Sequence, residues 1–328
     1  MRVGSIGYAT KSGLGIQLKA FYDHGIVTDV LLIPHPHYQN QQGWYPTEHC
    51  YSKATLRQFL SSIDVLFLFE NAFYWPAVQK AKLHGLRTIM MPNYEYTPFP
   101  MPSPADLYLC PSLLDLDYYK DLNSQFIPVP VEVPWKLRER ACHFIHHAGH
   151  GGKGHRNGTP ELLEAMRYVQ SPIKLDIHGQ PGEKRIQELF QSYVKKDPRV
   201  SVTLGEVPEA ELWSHGDVFI FPEKFNGLSL PLQEARAAGM LVMATNRFPM
   251  NTWLPQEPLI PVEGYEQDHI AVDIHKAVIS PQTIAKTIDA WYDRDIVEYS
   301  KQGRDWAASM SWEVIKPRYL SAIESVLA

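Results

Sequence analysis

Short runs of apolar residues alternate with helix-like segments along the whole chain. Most runs are almost continuously apolar, which is typical of strands that a parallel sheet buries on both faces. The strands predicted from this pattern are Arg2–Ile6, Asp29–Ile33, Asp64–Phe69, Arg87–Met91, Leu107–Cys110, Cys142–His147, Ile173–His178, Val200–Leu204, Asp217–Phe221 and Leu241–Thr245. The helices predicted between them include Ala54–Ser61, Trp75–His84, Pro160–Val169 and Gly182–Lys195. This alternation predicts a doubly wound α/β fold.

A proline-rich segment divides these elements into two similar sets. Ile127–Trp135 contains Pro128, Pro130 and Pro134, so it can form neither a central strand nor the interior of a helix. We therefore expect a stiff linker between two Rossmann-like halves, residues 1–133 and 134–305. The last residues, 306–328, belong to a helical pattern that covers Pro281–Ala328.

Composition and charge restrict the class of protein. Hydrophobic residues make up 45% and charged residues 20% of the 328 residues, which excludes a disordered chain. The net charge of −5 lacks the basic excess of a general polyanion binder, while a local basic patch is compatible with it. Three cysteines without metal-site spacing predict buried thiols in a reducing compartment: Cys50, Cys110 and Cys142. Without a signal peptide or an apolar run of membrane-spanning length, we expect a cytoplasmic protein.

The segment Asp217–Thr245 carries the most informative pattern. A buried strand is followed by a loop with Gly227, by a helix predicted to begin near Pro231 and end at Gly239, and by another buried strand. Glu234 is predicted in the first turn of that helix, where the exposed backbone N–H groups favour a phosphate. A carboxylate beside a phosphate suits the two hydroxyls of a ribose. The alternative is that Glu234 only complements the helix dipole.

This segment resembles the donor-site signature of retaining glycosyltransferases of family four, which have the two-Rossmann fold called GT-B. Pro222 stands at the leading proline, residues 226–231 (Asn-Gly-Leu-Ser-Leu-Pro) at the central motif and Glu234-Ala235 at its end. The resemblance implies that Glu234 binds the nucleotide ribose. It also implies that the backbone of four residues approaches the diphosphate and the sugar: Gly227, Leu228, Ser229 and Leu230.

The chain departs from the family pattern at Asn226, where the family has its first glutamate. An asparagine can hydrogen-bond sugar hydroxyls, but it cannot carry a negative charge or accept a proton as a carboxylate does. A covalent or general-base role is therefore excluded at this position, while a role in holding the sugar remains.

A glycine-rich, basic segment, His146–Gly158, follows the predicted strand Cys142–His147. Its turn contains Gly149, Gly151, Gly152 and Gly154, with the cations Lys153 and Arg156 beside it. Such a loop between a strand and a helix, with Thr159 as the predicted cap, suits a pyrophosphate. The alternatives are a plain solvated loop and a metal site built from the histidines of the region: His143, His146, His147, His150 and His155. Because a strand alternates its faces, His146 and His147 should point apart, which disfavours the metal site.

The family resemblance also covers this loop. Lys153-Gly154 matches a lysine–glycine pair that contacts the donor diphosphate in the family. His150 stands where an arginine is usual, so Arg156 is expected to supply the second positive charge.

Loops at the strand ends of the first half hold candidates for binding the donor and the acceptor. The loop Gly7–Gly15 offers Gly13 and Gly15 for a close approach by the donor, with Lys11 as a phosphate contact; the alternative is an ordinary turn. Glu70 and Glu95 follow two further strands and are candidates to bind or orient an acceptor hydroxyl. Their alternative is a capping or surface role. Nearby aromatic residues form either a platform for a sugar or base, or ordinary packing: Tyr74, Trp75, Tyr94, Tyr96 and Phe99.

The resemblance spans nearly the whole chain and implies a GT-B glycosyltransferase with two domains facing a cleft. Its closing segment Trp306–Trp312 resembles the family's tryptophan motif, which implies that a helix in residues 306–328 packs back on the first domain. The implied reaction moves a sugar from a nucleoside diphosphate sugar to an acceptor hydroxyl with retention. A UDP-sugar is the expected donor. Neither a metal nor another cofactor is expected, since Lys153 and Arg156 can replace a metal.

Three alternatives remain beside transfer to a saccharide or small molecule. The acceptor could be a hydroxylated DNA base, as for some phage-type enzymes, with a basic patch from Lys11, Lys53, Arg57, Lys80, Lys82 and Arg87. The protein could instead be a sugar-nucleotide epimerase. It could also be a non-catalytic nucleotide-sugar binding protein, given Asn226 and His150.

Overall fold

A computed structural model describes residues 1–34, 41–45, 49–50, 52–70, 75–96, 103–149, 156–180, 188, 190, 192, 197–205 and 207–328. The chain divides into two compact units. The first comprises Met1–Pro130, His269–Val272 and Trp312–Ala328, and the second comprises Val131–Asp268 and Asp273–Ser311. The chain thus passes from the first unit to the second within the proline-rich segment.

The first unit is built on a seven-stranded sheet whose paired strands are parallel, in the order β3-β2-β1-β4-β5-β6-β7. Its strands are β1 Val3–Gly7, β2 Asp29–Leu32, β3 His49–Cys50, β4 Val65–Phe69, β5 Arg87–Met91, β6 Leu107–Cys110 and β7 Ser124–Phe126. Its helices are α1 Gly13–Asp23, α2 Lys53–Leu60, α3 Trp75–Leu83, α4 Leu113–Tyr118 and the late helix α10 Trp312–Ser325. A 3₁₀ turn, Tyr94–Tyr96, follows β5.

Aromatic packing joins α10 to this unit. Phe21 of α1, which is fully buried, packs edge-to-face on Phe69 of β4 at 5.0 Å between ring centroids. Trp312 and Tyr319 of α10 contact the same ring at 5.2 Å and 4.9 Å. The hydroxyl of Tyr319 also donates to the carbonyl of Ile127 at 3.2 Å. Aromatic pairs of this geometry stabilise a core beyond the area that they bury.

The second unit has a five-stranded parallel sheet in the order β10-β9-β8-β11-β12, and a separate two-stranded sheet, β13-β14. Its strands are β8 His143–Gly149, β9 Lys174–Gly179, β10 Val200–Leu204, β11 Val218–Phe221, β12 Leu241–Ala244, β13 Gly264–His269 and β14 Asp273–Val278. Its helices are α5 Thr159–Ala165, α6 Glu209–Leu212, α7 Leu230–Ala237, α8 Pro281–Trp291 and α9 Val297–Ser309, and a 3₁₀ turn covers Met250–Thr252. One residue of β13, His269, groups with the first unit.

The predicted doubly wound α/β architecture is confirmed in both units. Each sheet reverses its strand order once, between β1 and β4 in the first unit and between β8 and β11 in the second. Parallel α/β sheets bind ligands outside the carboxyl ends of the strands at such a switch point. The fold therefore predicts that the ligand sites lie at the loops after these four strands. No helix in the described part of the chain is long and apolar enough to cross a membrane.

Several predicted elements need correction. Helix α7 begins at Leu230, one residue before Pro231, and α5 begins at Thr159 with Gly158 as its N-cap rather than Thr159. The pattern missed the short edge strands β3 and β7 and the polar pair β13-β14. Most of the predicted helix Gly182–Lys195 lies outside the described residues.

Candidate functional site

The loops that follow β8 and β11 meet at the switch point of the second sheet. The backbone N–H of Lys224 donates to the carbonyl of Arg156 at 2.7 Å. Gly158 has a φ of +67°, and a Cβ at this position would lie 2.0 Å from the carbonyl oxygen of Pro222. A side chain cannot fit there, so glycine permits both the left-handed backbone and the contact between the two loops. The structure thereby brings the end of the glycine-rich loop against the start of the predicted donor motif.

Arg156 lies within this contact. Its guanidinium carbon stands 5.8 Å from the ring centroid of Phe225, the residue before Asn226. The ammonium of Lys224 pairs with Glu161 of α5 at 2.5 Å. Arg156 is half-buried, so its charge stays near the loop rather than in bulk solvent. Of the two predicted cations, the structure places this one beside the 222–230 loop.

Lys153, Gly151 and Gly152 lie outside the described residues, as do His150, Gly154 and His155. Their predicted roles at the donor diphosphate stay predictions.

The loop between β11 and α7 is held by its own polar side chains. The Oδ1 atom of Asn226 accepts a hydrogen bond from the backbone N–H of Ser229 at 3.0 Å. Ser229 has a φ of +47°, and its hydroxyl donates to the carboxylate of Glu223 at 3.0 Å. Glu223 is fully buried, and its carbonyl accepts from Thr245. Asn226 therefore shapes the loop with its oxygen, a role that the sequence analysis did not assign to it.

Helix α7 begins without a side-chain cap, because the hydroxyl of Ser229 is directed to Glu223. Uncapped N–H groups at a helix start form an anion-binding position. The prediction that Glu234 lies in the first turn is wrong, since it is the fifth residue of the helix. The half-buried Glu234 lies one turn further on, and long side chains in helices lean toward the N-terminus. Gly239 follows the helix with a φ of +85°, which confirms the predicted left-handed end.

Sequence reasoning missed Arg247, which follows β12. It is 4% exposed, and its two terminal nitrogens donate to the carbonyls of Asn226 at 2.7 Å and Phe248 at 2.6 Å. A buried arginine thus fixes the backbone of the predicted motif from a neighbouring strand. The only signal in the sequence is a basic residue shortly after a predicted strand, which is too common to be informative.

His146 links the two strands beneath the loops. Its Nδ1 donates to the carbonyl of Ile220 at 2.9 Å, and its Nε2 accepts from the hydroxyl of Thr159 at 2.8 Å. Burial lowers the pKa of His146 to about 4, so the ring is neutral at neutral pH. His147 stacks instead on His178, with ring centroids 5.3 Å apart, on the other face of β8. The two histidines therefore point apart, as the strand alternation predicts.

Acidic triplets of the form Asp-x-Asp occur twice in the chain, and their carboxylates bind neighbouring protein groups. Asp117 pairs with Lys120 at 3.1 Å, and Asp293 accepts two hydrogen bonds from Arg140 at 2.9 Å each. Within the described residues, no group of three or more histidine, cysteine, aspartate or glutamate side chains is arranged to hold a metal ion. Metal independence stays a prediction.

At the switch point of the first sheet, the two predicted glycines differ in their surroundings. Gly13 is exposed, and a Cβ there would meet nothing within 4 Å. Gly15 is buried, and a Cβ there would lie 2.0 Å from the carbonyl oxygen of Thr10. Ser12 caps α1 by accepting from the N–H of Gly15 at 3.3 Å. The geometry leaves room for a ligand at Gly13 and makes Gly15 a packing position.

The predicted acceptor-side carboxylates also differ. Glu70 directly follows β4 with a φ of +61°, a strained conformation for a non-glycine residue, and its N–H donates to the carbonyl of Met91 at 2.6 Å. Glu95 is only 1% exposed, and its carbonyl accepts from the N–H of Ala271 at 3.3 Å. Backbone strain such as that at Glu70 is typical of functional sites at strand ends. Glu95, in contrast, is covered by protein.

A second missed residue, Asp115, supports the turn that carries Glu95. Its carboxylate accepts from the N–H of Tyr94 at 2.9 Å and from the hydroxyl of Ser112, the N-cap of α4. Burial raises the pKa of Asp115 to about 7, against the lowering effect of the Ser112 hydrogen bond. The sequence signal is the spacing of Ser112 and Asp115 directly after a strand, which is typical of a helix cap.

Comparison with known families gives a match over part of the second unit. Residues 145–261 match the family model described as Glycosyl transferases group 1. This segment contains both loops of the switch point, from β8 to the residues after β12. No curated protein matches the chain.

Solved structures match over nearly the full length at low identity. Sucrose-phosphate synthase from Thermosynechococcus elongatus is 14% identical with a TM-score of 0.63, over 100% of this chain and 99% of that one. Anabaena HepE, in complex with UDP and glucose, is 8% identical with a TM-score of 0.70, over 99% and 100%. The apo form of the lipopolysaccharide outer core galactosyltransferase WaaB is 12% identical with a TM-score of 0.64, over 99% of each chain. The chain therefore has the GT-B fold of two Rossmann-like domains, and this fold with the match over residues 145–261 indicates a glycosyltransferase.

Proposed function

We propose that the protein transfers a glycosyl group from a nucleoside diphosphate sugar to an acceptor hydroxyl, with a UDP-sugar as the donor. The observation that carries this proposal is the docking of residues 156–158 on residues 222–225 at the switch point of the second sheet. The matched family segment covers both loops, and HepE, which shares the fold, is described as a complex with UDP and glucose.

The second unit holds the donor in this proposal. The uncapped start of α7 and the guanidinium of Arg156 stabilise the diphosphate, with Lys153 as the second cation. Glu234 accepts hydrogen bonds from the ribose hydroxyls, while the backbone of residues 227–230 lies against the diphosphate and the sugar. As the bond to the sugar breaks, the two cations stabilise the negative charge that develops on the leaving diphosphate. Because they can do this without a metal, we propose that the reaction requires neither a metal nor another cofactor.

Transfer is proposed to proceed with retention, and the amide at position 226 favours a front-face route over a covalent intermediate. Asn226 cannot act as a nucleophile or as a general base, and its Oδ1 is bound to the N–H of Ser229. Its Nδ2 is the group that can donate to a sugar hydroxyl. The acceptor hydroxyl then attacks on the same face from which the diphosphate leaves, and its proton passes to a leaving phosphate oxygen.

The first unit presents the acceptor. Exposed Gly13 allows a ligand to approach the backbone after β1, and Glu70 stands at the end of β4 on the other side of the same switch point. Glu95 lies beneath the surface and does not contact the acceptor in this proposal. The acceptor classes that this arrangement serves are a saccharide, a small molecule and a hydroxylated DNA base.

Release of UDP from UDP-sugars in the presence of acceptors tests the proposal. Lys153→Ala should lower kcat by about 10²-fold or more, as the loss of a transition-state donor does. Lys301→Ala, which removes an exposed cation of α9, should leave kcat unchanged. An undiminished kcat in Lys153→Ala would contradict the assigned role.

The reaction products distinguish glycosyl transfer from the two rival functions. An epimerase would convert the sugar nucleotide to an isomer without releasing free UDP. A binding protein would bind the donor without turnover across a panel of acceptors. Either outcome would replace the proposed transfer reaction.

A further inference from the structure

A basic groove runs along the outer helices of the first unit. It encloses about 290 Å³ between α2 and α3. Buried Leu56 forms part of its floor, and its lining includes the cations Lys53, Arg57 and Lys80. Lys53 and Arg57 are exposed and Lys80 is half-buried, so their charges are presented to solvent across the groove.

The helices that form this groove carry charge of one sign. Residues 53–60 and 75–83, which form α2 and α3, contain four lysines and arginines and no aspartate or glutamate: Lys53, Arg57, Lys80 and Lys82. In the described part of the chain, Lys53, Arg57 and Lys80 form no ion pair, whereas Lys82 pairs with Asp106 at 3.5 Å and does not line the groove. The negative net charge of the whole protein therefore conceals a local positive surface.

The groove leads to the edge of the sheet where the acceptor-side loops lie. Helix α2 begins at Lys53, three residues after β3 ends at Cys50. Because the paired strands are parallel, the end of β3 lies at the same edge as the ends of β1 and β4. Lys53, the first residue of α2, thus lies near that edge, while Lys80 lies in the last turn of α3.

We propose that this groove binds the phosphodiester backbone of DNA and so presents an acceptor hydroxyl carried by the DNA to the first unit. Lysine and arginine side chains without carboxylate partners recognise consecutive phosphates, and this contact is independent of base sequence. The binding step stands on the groove alone, while the role as acceptor rests on the proposed function.

The surface chemistry favours DNA over a membrane. A helix that lies on a membrane needs a broad apolar face to enter the lipid. The groove exposes a single large apolar side chain, Leu83, at 83%. Its other leucines, Leu56 and Leu60, are each 1% exposed and pack inward.

Salt dependence of binding to a short fluorescent DNA duplex, measured by anisotropy, tests the groove. Three phosphate contacts predict a slope of log K against log salt of about −3, or a loss of about 40-fold between about 50 and 200 mM salt. Arg57→Ala should reduce the slope by about 1. Lys120→Ala removes the same charge at an exposed position outside the groove and should keep the wild-type slope. An unchanged slope in Arg57→Ala, or no salt-dependent binding at all, would overturn the proposal.

Vesicles and donor assays separate the remaining explanations. Binding to vesicles of anionic lipid without binding to the duplex would assign the groove to a membrane and overturn the DNA assignment. UDP-sugar binding and UDP release are measured separately, without DNA. Donor turnover without DNA binding contradicts only the groove, and DNA binding without donor binding or turnover contradicts only the proposed function.

Discussion

The buried imidazole of His146 makes the stability of the second unit depend on pH. The ring lies between the carbonyl of Ile220 and the hydroxyl of Thr159, and burial lowers its pKa from 6.5 to about 4. In the unfolded chain the imidazole regains its ordinary pKa and binds a proton below it. The stability that the neutral ring provides is therefore complete above about pH 6.5 and is lost as the pH falls toward 4.

The size of this effect follows from the two pKa values of His146. A difference of about 2.5 units corresponds to about 3 kcal/mol over the whole range, at about 1.4 kcal/mol per unit. Between about pH 7 and pH 5, about 2 kcal/mol of that is lost. Burial and neighbouring histidines also lower the pKa values of His147, His178 and His215, so the wild type loses more stability than this in total.

Urea unfolding of the wild type and of His146→Asn at the two pH values isolates the contribution of His146. Asparagine keeps a donor toward Ile220 and carries no titrating group, so its packing cost is the same at both pH values and cancels from the comparison. Between about pH 7 and pH 5, the free energy of unfolding of the variant should fall by about 2 kcal/mol less than that of the wild type. Equal losses would refute the assignment of a neutral, buried imidazole to this position.

Two further substitutions test contacts near the sites. Gly158→Ala should lower the free energy of unfolding in urea by about 1–3 kcal/mol more than Gly25→Ala does. Both glycines have nearly the same φ, +67° and +68°, but only Gly158 faces a carbonyl oxygen. Equal losses in the two variants would contradict the contact between the loops. Ser112→Ala should destabilise the protein by about 1–3 kcal/mol more than Ser280→Ala in thermal unfolding. Both serines cap helices, but only Ser112 also donates to a buried carboxylate, that of Asp115. A similar loss of stability in both variants would contradict the hydrogen bond between Ser112 and Asp115.

Continuous apolar runs located most of the sheets. The strands Arg87–Met91, Leu107–Cys110 and Val200–Leu204 have the bounds that the sequence predicts. Edge strand Ser124–Phe126 is short and half-buried, so it carries no apolar run. Strand β13 is largely exposed and polar, and β14 mixes exposed polar with buried apolar residues, so neither carries a continuous apolar run.

Local patterns also placed the loops of the candidate site, but not the contacts that hold them. Gly158, Arg247 and Asp115 act through groups that are distant in sequence: Pro222, Asn226 and Tyr94. Such pairs depend on which strands become neighbours, and a single sequence does not specify that order. The start of α7 was misjudged by one residue because proline is tolerated throughout the first turn of a helix, which moved Glu234 out of that turn.

The central claim, that Glu234 holds the ribose of a nucleotide bound to the second unit, is tested most directly by a thermodynamic cycle. Calorimetry would measure the binding of UDP and of 2′,3′-dideoxy-UDP to the wild type and to Glu234→Ala. Hydrogen bonds to a charged group contribute about 1.5–3 kcal/mol, so the wild type should bind the dideoxy compound about 10- to 100-fold more weakly than UDP. Glu234→Ala should bind both compounds with the same, weakened affinity. Equal binding of the two compounds by the wild type, or undiminished discrimination in Glu234→Ala, would contradict the claim.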